Sequence, residues 1–389
     1  MLKYDPFSEE VMRDPLPIYA RLREEAPCYH IEEYDAWALS RFEDIWNASL
    51  DNEHFSCAQG TTSAHLLTRV QPVTPMLNLM DPPEHTELRA KIRPFFGPAK
   101  VRSLEPFMRE LVREALEAAR ERGELDAMAD LAQPLATKVA CRVNGFPQED
   151  GELLHQFVAR FMRREPGVQG MTPDGLKAME EMFGYFIGLI QKRRAAGADQ
   201  DTVVDLFARM DLPLEAIASH LTMLIIGGSE TFPKVFATGI RRLHEHPDQR
   251  AELARDPSLI PDAFQEILRF DMPTQFLCRM TTEKTSFHGK TIEPGQPVLF
   301  LYPSANRDRR EFRDPDAFDI HRRPPRILTF GHGTHSCLGI HVAKAEGRIA
   351  LEETLRRVPE YVADLGRAQR LVTDFVQGYS SLPISFEPW

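Results

Sequence analysis

Apolar positions recur every three or four residues through most of the middle of the chain. "PEHTELRAKIRPFF", "VRSLEPFMRELVREALEAARERG", "QEDGELLHQFVARFMRR" and "PDGLKAMEEMFGYFIGLIQKRRAAG" each carry this spacing, which predicts amphipathic helices. Near the start, "DPLPIYARLREEAP" places Pro15 and Pro17 at a helix entry and puts Ile18, Leu22 and Ala26 on one face. A different pattern follows. "CYHIEEYDAWALS" reads as two short strands with a turn near Glu33, and "QFLCRMTTEKTSFHGKTIEPGQPVLFLYP" alternates between turn residues, which predicts a small sheet. A last strand is expected in "SLPISFEPW". Residues 56–83 are rich in turn formers and predict a long irregular segment, a kind of loop usually kept for function. No repeat, low-complexity tract or linker interrupts the pattern. The expectation is a single domain, 1–389, mainly α with small β-sheets (α+β).

The longest helical stretch, "LPLEAIASHLTMLIIGGSETFPKVFATGIRRLHEHPDQ", is flawed at its centre. Gly227 and Gly228 each cost about 1 kcal/mol against Ala in a helix interior. Pro233 cannot donate to the carbonyl of Ser229, and its ring crowds that carbonyl. The helix is therefore expected to open between residues 226 and 237, where something approaches its backbone.

Composition narrows the class. Of 389 residues, 42% are hydrophobic and 27% charged, and the net charge is −11. An acidic total argues against a general nucleic-acid role. The 5 cysteines are odd in number and widely spaced, so no disulfide framework is expected and a reducing cytoplasm fits. "MLKYDPFSEEVMRDP" has no signal-peptide pattern, and the run "LTMLIIGG" is too short to span a bilayer.

One cysteine stands out. In "LTFGHGTHSCLGIHVAKAEG", residues 328–347, Gly331, Gly333 and Gly339 permit close approach to a flat ligand. Val342, Ala345 and Ile349 then continue as a helical stripe. Cys337 therefore sits at or just before a helix N-terminus, where free N–H groups and the dipole favour a thiolate. A thiolate is a ligand for iron. The loop alone leaves three other readings open: a buried structural cysteine, a zinc site with His332 and His335, and a nucleophile with a distant His and Asn. Covalent c-type haem is excluded, because C-x-x-C-H is absent.

"FGHGTHSCLG" fills every fixed position of Phe-Gly-x-Gly-x-His-x-Cys-x-Gly, with Phe330, Gly331, Gly333, His335, Cys337 and Gly339. "HTELR" (His85, Arg89), "GGSET", "EILR" (Glu266 to Arg269) and "FDIHR" (Arg322) accompany it in order. Over roughly residues 10–389 the chain resembles the cytochrome P450 family, and within it soluble bacterial members such as the camphor hydroxylase group. The resemblance implies heme b (iron protoporphyrin IX) held between a long distal helix and the helix after the cysteine loop. Cys337 would be the axial thiolate, favouring O–O cleavage. His85, Arg89, Arg279 and His335 would hold the haem propionates, and Phe330 would shield the thiolate. Gly227 and Gly228 would make room for dioxygen, Thr231 would hold it with water, and Glu230 would feed protons inward. Glu266, Arg269 and Arg322 would form a buried structural triad. The chain departs from the family pattern after Thr231, where Phe232 and Pro233 follow.

The resemblance also implies a distal pocket bordered by Met223, Ile226, Phe232, Pro273, Phe276, Leu277, Val376 and Gln377, roofed by residues 61–78. Its substrate would be a small hydrophobic terpenoid, steroid or aromatic compound, with His65, Arg69 or Gln377 at a polar end. Nothing in the chain looks like a flavin or iron–sulfur segment, so electrons would come from a ferredoxin and its NAD(P)H-dependent reductase. Lys91, Arg93, Lys100, Arg102, Arg326 and Lys344 would dock that acidic partner on the cysteine side. A cytoplasmic monomer using O2, without nucleic acid or membrane anchor, is expected. A peroxide-driven oxygenase and a haem-binding sensor without turnover are the alternatives; Glu230 and Thr231 argue against both. His332 has no role in this scheme.

Overall fold

The computed structural model describes residues 2–70, 74, 76–165 and 170–389. Helix α1, Leu16–Glu25, begins on prolines, which lack the N–H that a first turn would leave unpaired. It buries Tyr19 and Leu22, and Ala26 caps its end. Strands β1 (Cys28–Ile31) and β2 (Ala36–Leu39) pair antiparallel, Cys28 opposite Leu39, across a 3-10 turn at Glu32–Tyr34. They join β3 (Phe55–Ser56), β4 (Leu277–Thr281) and β5 (Pro297–Phe300) in a five-stranded sheet of order β1-β2-β5-β4-β3. The β2–β5 pair is parallel, and Arg279 of β4 lies opposite Val298 of β5. The expected later strands split, because Thr285–Phe287 and Lys290–Ile292 form their own hairpin.

The remaining core is helical. The expected helices are α2 (Glu84–Ile92), α3 (Pro98–Ala119), α5 (Gly151–Met162) and α6 (Pro173–Ala195). Between them lies α4, Gln133–Asn144, which no periodicity announced. Leu135, Ala136, Thr137, Val139, Ala140, Cys141 and Val143 are all buried, and only the narrow stripe of Pro134, Lys138 and Arg142 is exposed, so the polar face of α4 is thin. It follows a strand at Glu124–Asp126 and a π-helical turn at Ala127–Ala132.

The long distal stretch is divided. Helix α7 runs Leu214–Ser229 and α8 runs Thr231–Glu245, with Glu230 between them at φ −99 and ψ −35. The break lies where Pro233 denies a donor to the Ser229 carbonyl, and Gln133 Nε2 donates to that carbonyl instead at 3.1 Å. Helix α9 (Ile260–Phe270) and helix α10 (Ile340–Arg357) complete the core, α10 packing along α3. Gly347 of α10 lets the ring of Phe264 lie against its backbone; a Cβ would fall 2.0 Å from that ring. Helices dominate, with small sheets at the edges.

Candidate active site

The cysteine loop precedes α10 directly. Gly331 and Gly333 take φ of 65 and 71, conformations that favour glycine. A Cβ on Gly333 would fall 2.4 Å from the Ser49 carbonyl oxygen, so this turn needs glycine twice over. The Cys337 N–H donates to Phe330 O at 2.7 Å, and Gly339 caps α10. Cys28, Cys57, Cys141 and Cys278 are buried, and burial pushes the Cys57 thiol up to about 11 and those of Cys28 and Cys141 up to about 12. Cys337 is the exposed one, and it opens onto a cavity. Enclosing protein raises its thiol pKa too, opposed by the Gly339 N–H and the Arg89 charge.

That cavity, roughly 1810 Å³ including its mouth, lies between the cysteine loop, α7 and α8, and β4. Four nitrogen-bearing side chains meet at one corner. His85 and Arg89 stand four apart on α2, Arg279 projects from β4, and His335 comes from the cysteine loop. The rings of His85 and His335 are 4.2 Å apart. His85 is fully buried, and neither of its ring nitrogens has a partner; His335 Nε2 has none either. Burial first, then Arg279, His85 and Arg89, lower the His335 pKa to about 3, so it stays a neutral donor. Arg89 donates to Ser336 O and Arg279 to Cys278 O at 2.8 Å, which leaves other guanidinium N–H groups for a ligand. Asp81, the carboxylate nearby, is taken up by Ser56 Oγ and the Cys57 N–H. Buried donors without acceptors are costly. A flat macrocycle carrying two carboxylates fits this corner, and Cys337 fits its metal.

The two glycines of α7 do different work. A Cβ on Gly228 would meet the Ala140 Cβ at 3.0 Å, so Gly228 lets α4 approach. Gly227 has nothing within 4 Å and faces open cavity. Thr231 lines the same space. Glu230 does not. It is 5% exposed, and its Oε2 accepts from Lys234 Nζ of α8 at 2.7 Å, off the cavity wall.

Of the expected pocket residues, Met223, Phe232, Pro273 and Leu277 line the cavity, and Phe330 lines it too. Ile226, Phe276, Val376 and Gln377 do not. Ile226 packs against the helical core, and Phe276 is buried behind the sheet with Tyr19 and Leu299. Val376 forms a bridge with Thr274, and Gln377 spends its amides on Pro273 O and Met272 O. The neighbouring Phe375 and Thr274 take their place. His65 bonds Thr62 Oγ1 and Arg69 sits at φ 61; neither they nor Gln377 reach the cavity. Of the expected roof, Thr61, Thr62, Leu77 and Asn78 line the wall, while residues 71–73 and 75 lie outside the described residues. Asn144 and Glu346 line it without having been foreseen. Lone polar residues on the apolar faces of α4 and α10 were the available signal.

Glu266 and Arg269, both fully buried, pair at 2.7 Å, and Arg322 Nε reaches Glu266 at 3.1 Å. His332 stacks on Trp46 with ring centroids 3.5 Å apart.

The Cytochrome P450 family model matches residues 153–358. Cytochrome P450 130 of Mycobacterium tuberculosis is 38% identical over 368 residues, covering 90% of each chain. The vitamin D(3) 25-hydroxylase of Pseudonocardia autotrophica is 32% identical, over 99% of this chain and 97% of that protein. The crystal structure of CalO2 superposes with a TM-score of 0.89 at 27% identity and full coverage of both chains. The chain belongs to the cytochrome P450 family, and its class is that of the haem-thiolate monooxygenases. Members of the family bind haem through a cysteine thiolate. No helix among the described residues is long and apolar enough to cross a membrane.

Proposed function

We propose that this chain, acting as one catalytic domain in the cytoplasm, inserts one oxygen atom from O2 into a small hydrophobic molecule of terpenoid, steroid or aromatic type. The observation that carries the reading is one cavity holding an accessible cysteine, a corner of buried donors without acceptors, and an apolar wall. Cys337 would ligate the iron, and His85, Arg89, Arg279 and His335 would hold the propionates. When bound, the haem supplies the iron chemistry that activates dioxygen. The chain does the rest. The Thr231 hydroxyl, at the helix break, holds water and a proton at the oxygen side. Glu230, fixed by Lys234, is the charged group behind it. Met223, Phe232, Leu277 and Phe375 exclude bulk water and seat an apolar substrate.

Electrons would come from a ferredoxin and its reductase, docking on the cysteine side. Lys91, Arg93 and Arg102 are exposed there, and Arg102 and Lys344 border a groove between α3, α9 and α10. Lys100 and Arg326 are less free, since Asp201 pairs with the first and Glu43 and Glu311 with the second. Glu266, Arg269 and Arg322 serve the fold.

A ligand screen for the low-to-high-spin shift tests the reading, followed by turnover with a ferredoxin, reductase and NADH. Apolar ligands are expected to shift the spin state, and at least one to be hydroxylated. Turnover with peroxide alone would favour a peroxide-driven oxygenase, and ligand binding without turnover a sensor.

A further inference from the structure

The break between α7 and α8 leaves backbone that a continuous helix would satisfy by itself. Pro233 has no N–H to give the Ser229 carbonyl four residues back. The Ser229 hydroxyl turns the other way and donates to Ile225 O at 2.7 Å, a back-bond that bends a helix. Ser229 is fully buried, so its carbonyl needs a partner from the protein. That partner is Gln133 Nε2 at 3.1 Å, supplied by α4 from 96 residues earlier in the chain. The contact fixes the orientation of the amide, because only an N–H can meet a carbonyl.

Gln133 is itself buried, and its Nε2 also lies 3.4 Å from Thr137 Oγ1. Gln133, Thr137, Ala140 and Asn144 recur at i, i+4, i+7 and i+11, one stripe of α4. Ala140 packs against Gly228 and, with Asn144, lines the cavity, so the stripe follows α7. The π-helical turn Ala127–Ala132 delivers Gln133 to the break and packs against α8. An apolar residue at 133 would suit a buried stripe without the cost of desolvating an amide. Thr231, two residues past the bonded carbonyl, lines the cavity, whereas Gln133 lies off it.

We propose that Gln133 is a positioning residue of the oxygen reaction: its bond to the Ser229 carbonyl holds the break open and sets where Thr231 presents its hydroxyl. The inference rests on the monooxygenase reading. Pro233 and Gln133 act as a pair. The proline frees the carbonyl, and the amide takes it up without closing the helix. Gln133 works through the backbone of Ser229 and Glu230, not through contact with substrate.

The test uses holoenzyme carrying Gln133→Met, Pro233→Ala or both. Methionine keeps the reach of the side chain and removes the donor. In Gln133→Met the C–O stretching band of the ferrous carbon-monoxide complex, which reads the groups around the oxygen site, should shift and broaden. Product per NADH should fall about 10-fold, with peroxide making up the difference. Ligand affinity by spin shift and first-electron reduction should stay as in wild type. Pro233→Ala returns an N–H to the Ser229 carbonyl, so it should raise the thermal midpoint and still lower coupling. In the double variant that N–H should recover the stability lost in Gln133→Met, while coupling stays low because the break has closed. Coupling that returns together with stability would overturn the proposal and leave Gln133 a purely structural residue. Wild-type coupling and an unmoved C–O band in Gln133→Met would overturn it alone. Absence of NADH-driven turnover in the wild type with any ligand would overturn the monooxygenase reading, and the proposal with it.

Discussion

The Glu266 cluster and the His85 corner are both buried and polar, and they are completed differently. Around Glu266, Arg269 gives two bonds of 2.7 Å and sends its other N–H groups to Asn306 O and Pro315 O, at 2.8 and 2.9 Å. Arg322 Nε and the Asp319 N–H add further bonds to Glu266 Oε1, at 3.1 and 3.2 Å. That cluster is closed. At the other corner, His85 and His335 have ring nitrogens facing no acceptor, and two guanidinium groups stand beside them. That cluster is open. A closed network holds the chain together, whereas an open one is complete only with a ligand present.

The largest effect should come from breaking the closed cluster. Glu266→Ala or Arg269→Ala leaves its partner charged and buried, at a cost of about 3–5 kcal/mol. Denaturant unfolding should show little folded protein for either variant, and near-normal stability would mean the cluster is dispensable.

Opening the open cluster further should leave the fold and loosen the haem. Arg89→Ala, Arg279→Ala or His335→Ala each removes one charge-assisted or buried hydrogen bond, about 1.5–3 kcal/mol for the arginines. Haem transfer to an apoprotein scavenger should quicken by about 10- to 100-fold for Arg89→Ala, by the same conversion. An unchanged transfer rate would place the propionates elsewhere.

Thr231→Ala tests the cavity side without touching either cluster. NADH consumption should continue while product per NADH drops by about tenfold or more, with peroxide making up the difference.

The smallest effect is a pH dependence at a second closed cluster. Glu353 of α10 accepts from Arg109, Arg113 and Arg357, whose bonds outweigh burial and hold its pKa at about 2. The folded value lies below the unfolded one, roughly 4.3. Its stabilisation is therefore complete above that unfolded value and disappears as pH falls toward about 2. Glu353→Gln should flatten the acid limb of the stability curve across that window and lower stability near neutral pH.

Much of this was legible in the sequence, for local reasons. Period and turn chemistry announced α1 to α3, the β1–β2 hairpin and the break near Pro233, because each is set within a few residues. The cysteine loop was legible because its glycines, histidine and cysteine stand at fixed short spacing. Helix α4 was not, since buried residues cover all of it except the narrow stripe of Pro134, Lys138 and Arg142, too thin to stand out as a polar face. The pocket rim was read one residue out at its C-terminal turn. Which of Thr274, Phe375, Val376 and Gln377 faces the cavity is decided by backbone pairing, to Thr274 and to Pro273, and not by the side chains themselves. The partner of Glu230 was missed although Lys234 stands four residues on, on the apolar side of α8, where a charge needs a reason.

The central claim is that Cys337 carries the iron as a thiolate. The reduced carbon-monoxide spectrum, taken on wild type and on Cys337→Ser, tests it most directly. Wild type should show the strongly red-shifted Soret band of a thiolate-ligated ferrous carbonyl, and Cys337→Ser should lose it while staying folded. A thiolate band that persists in Cys337→Ser, or is absent from freshly reduced wild type, would contradict the account.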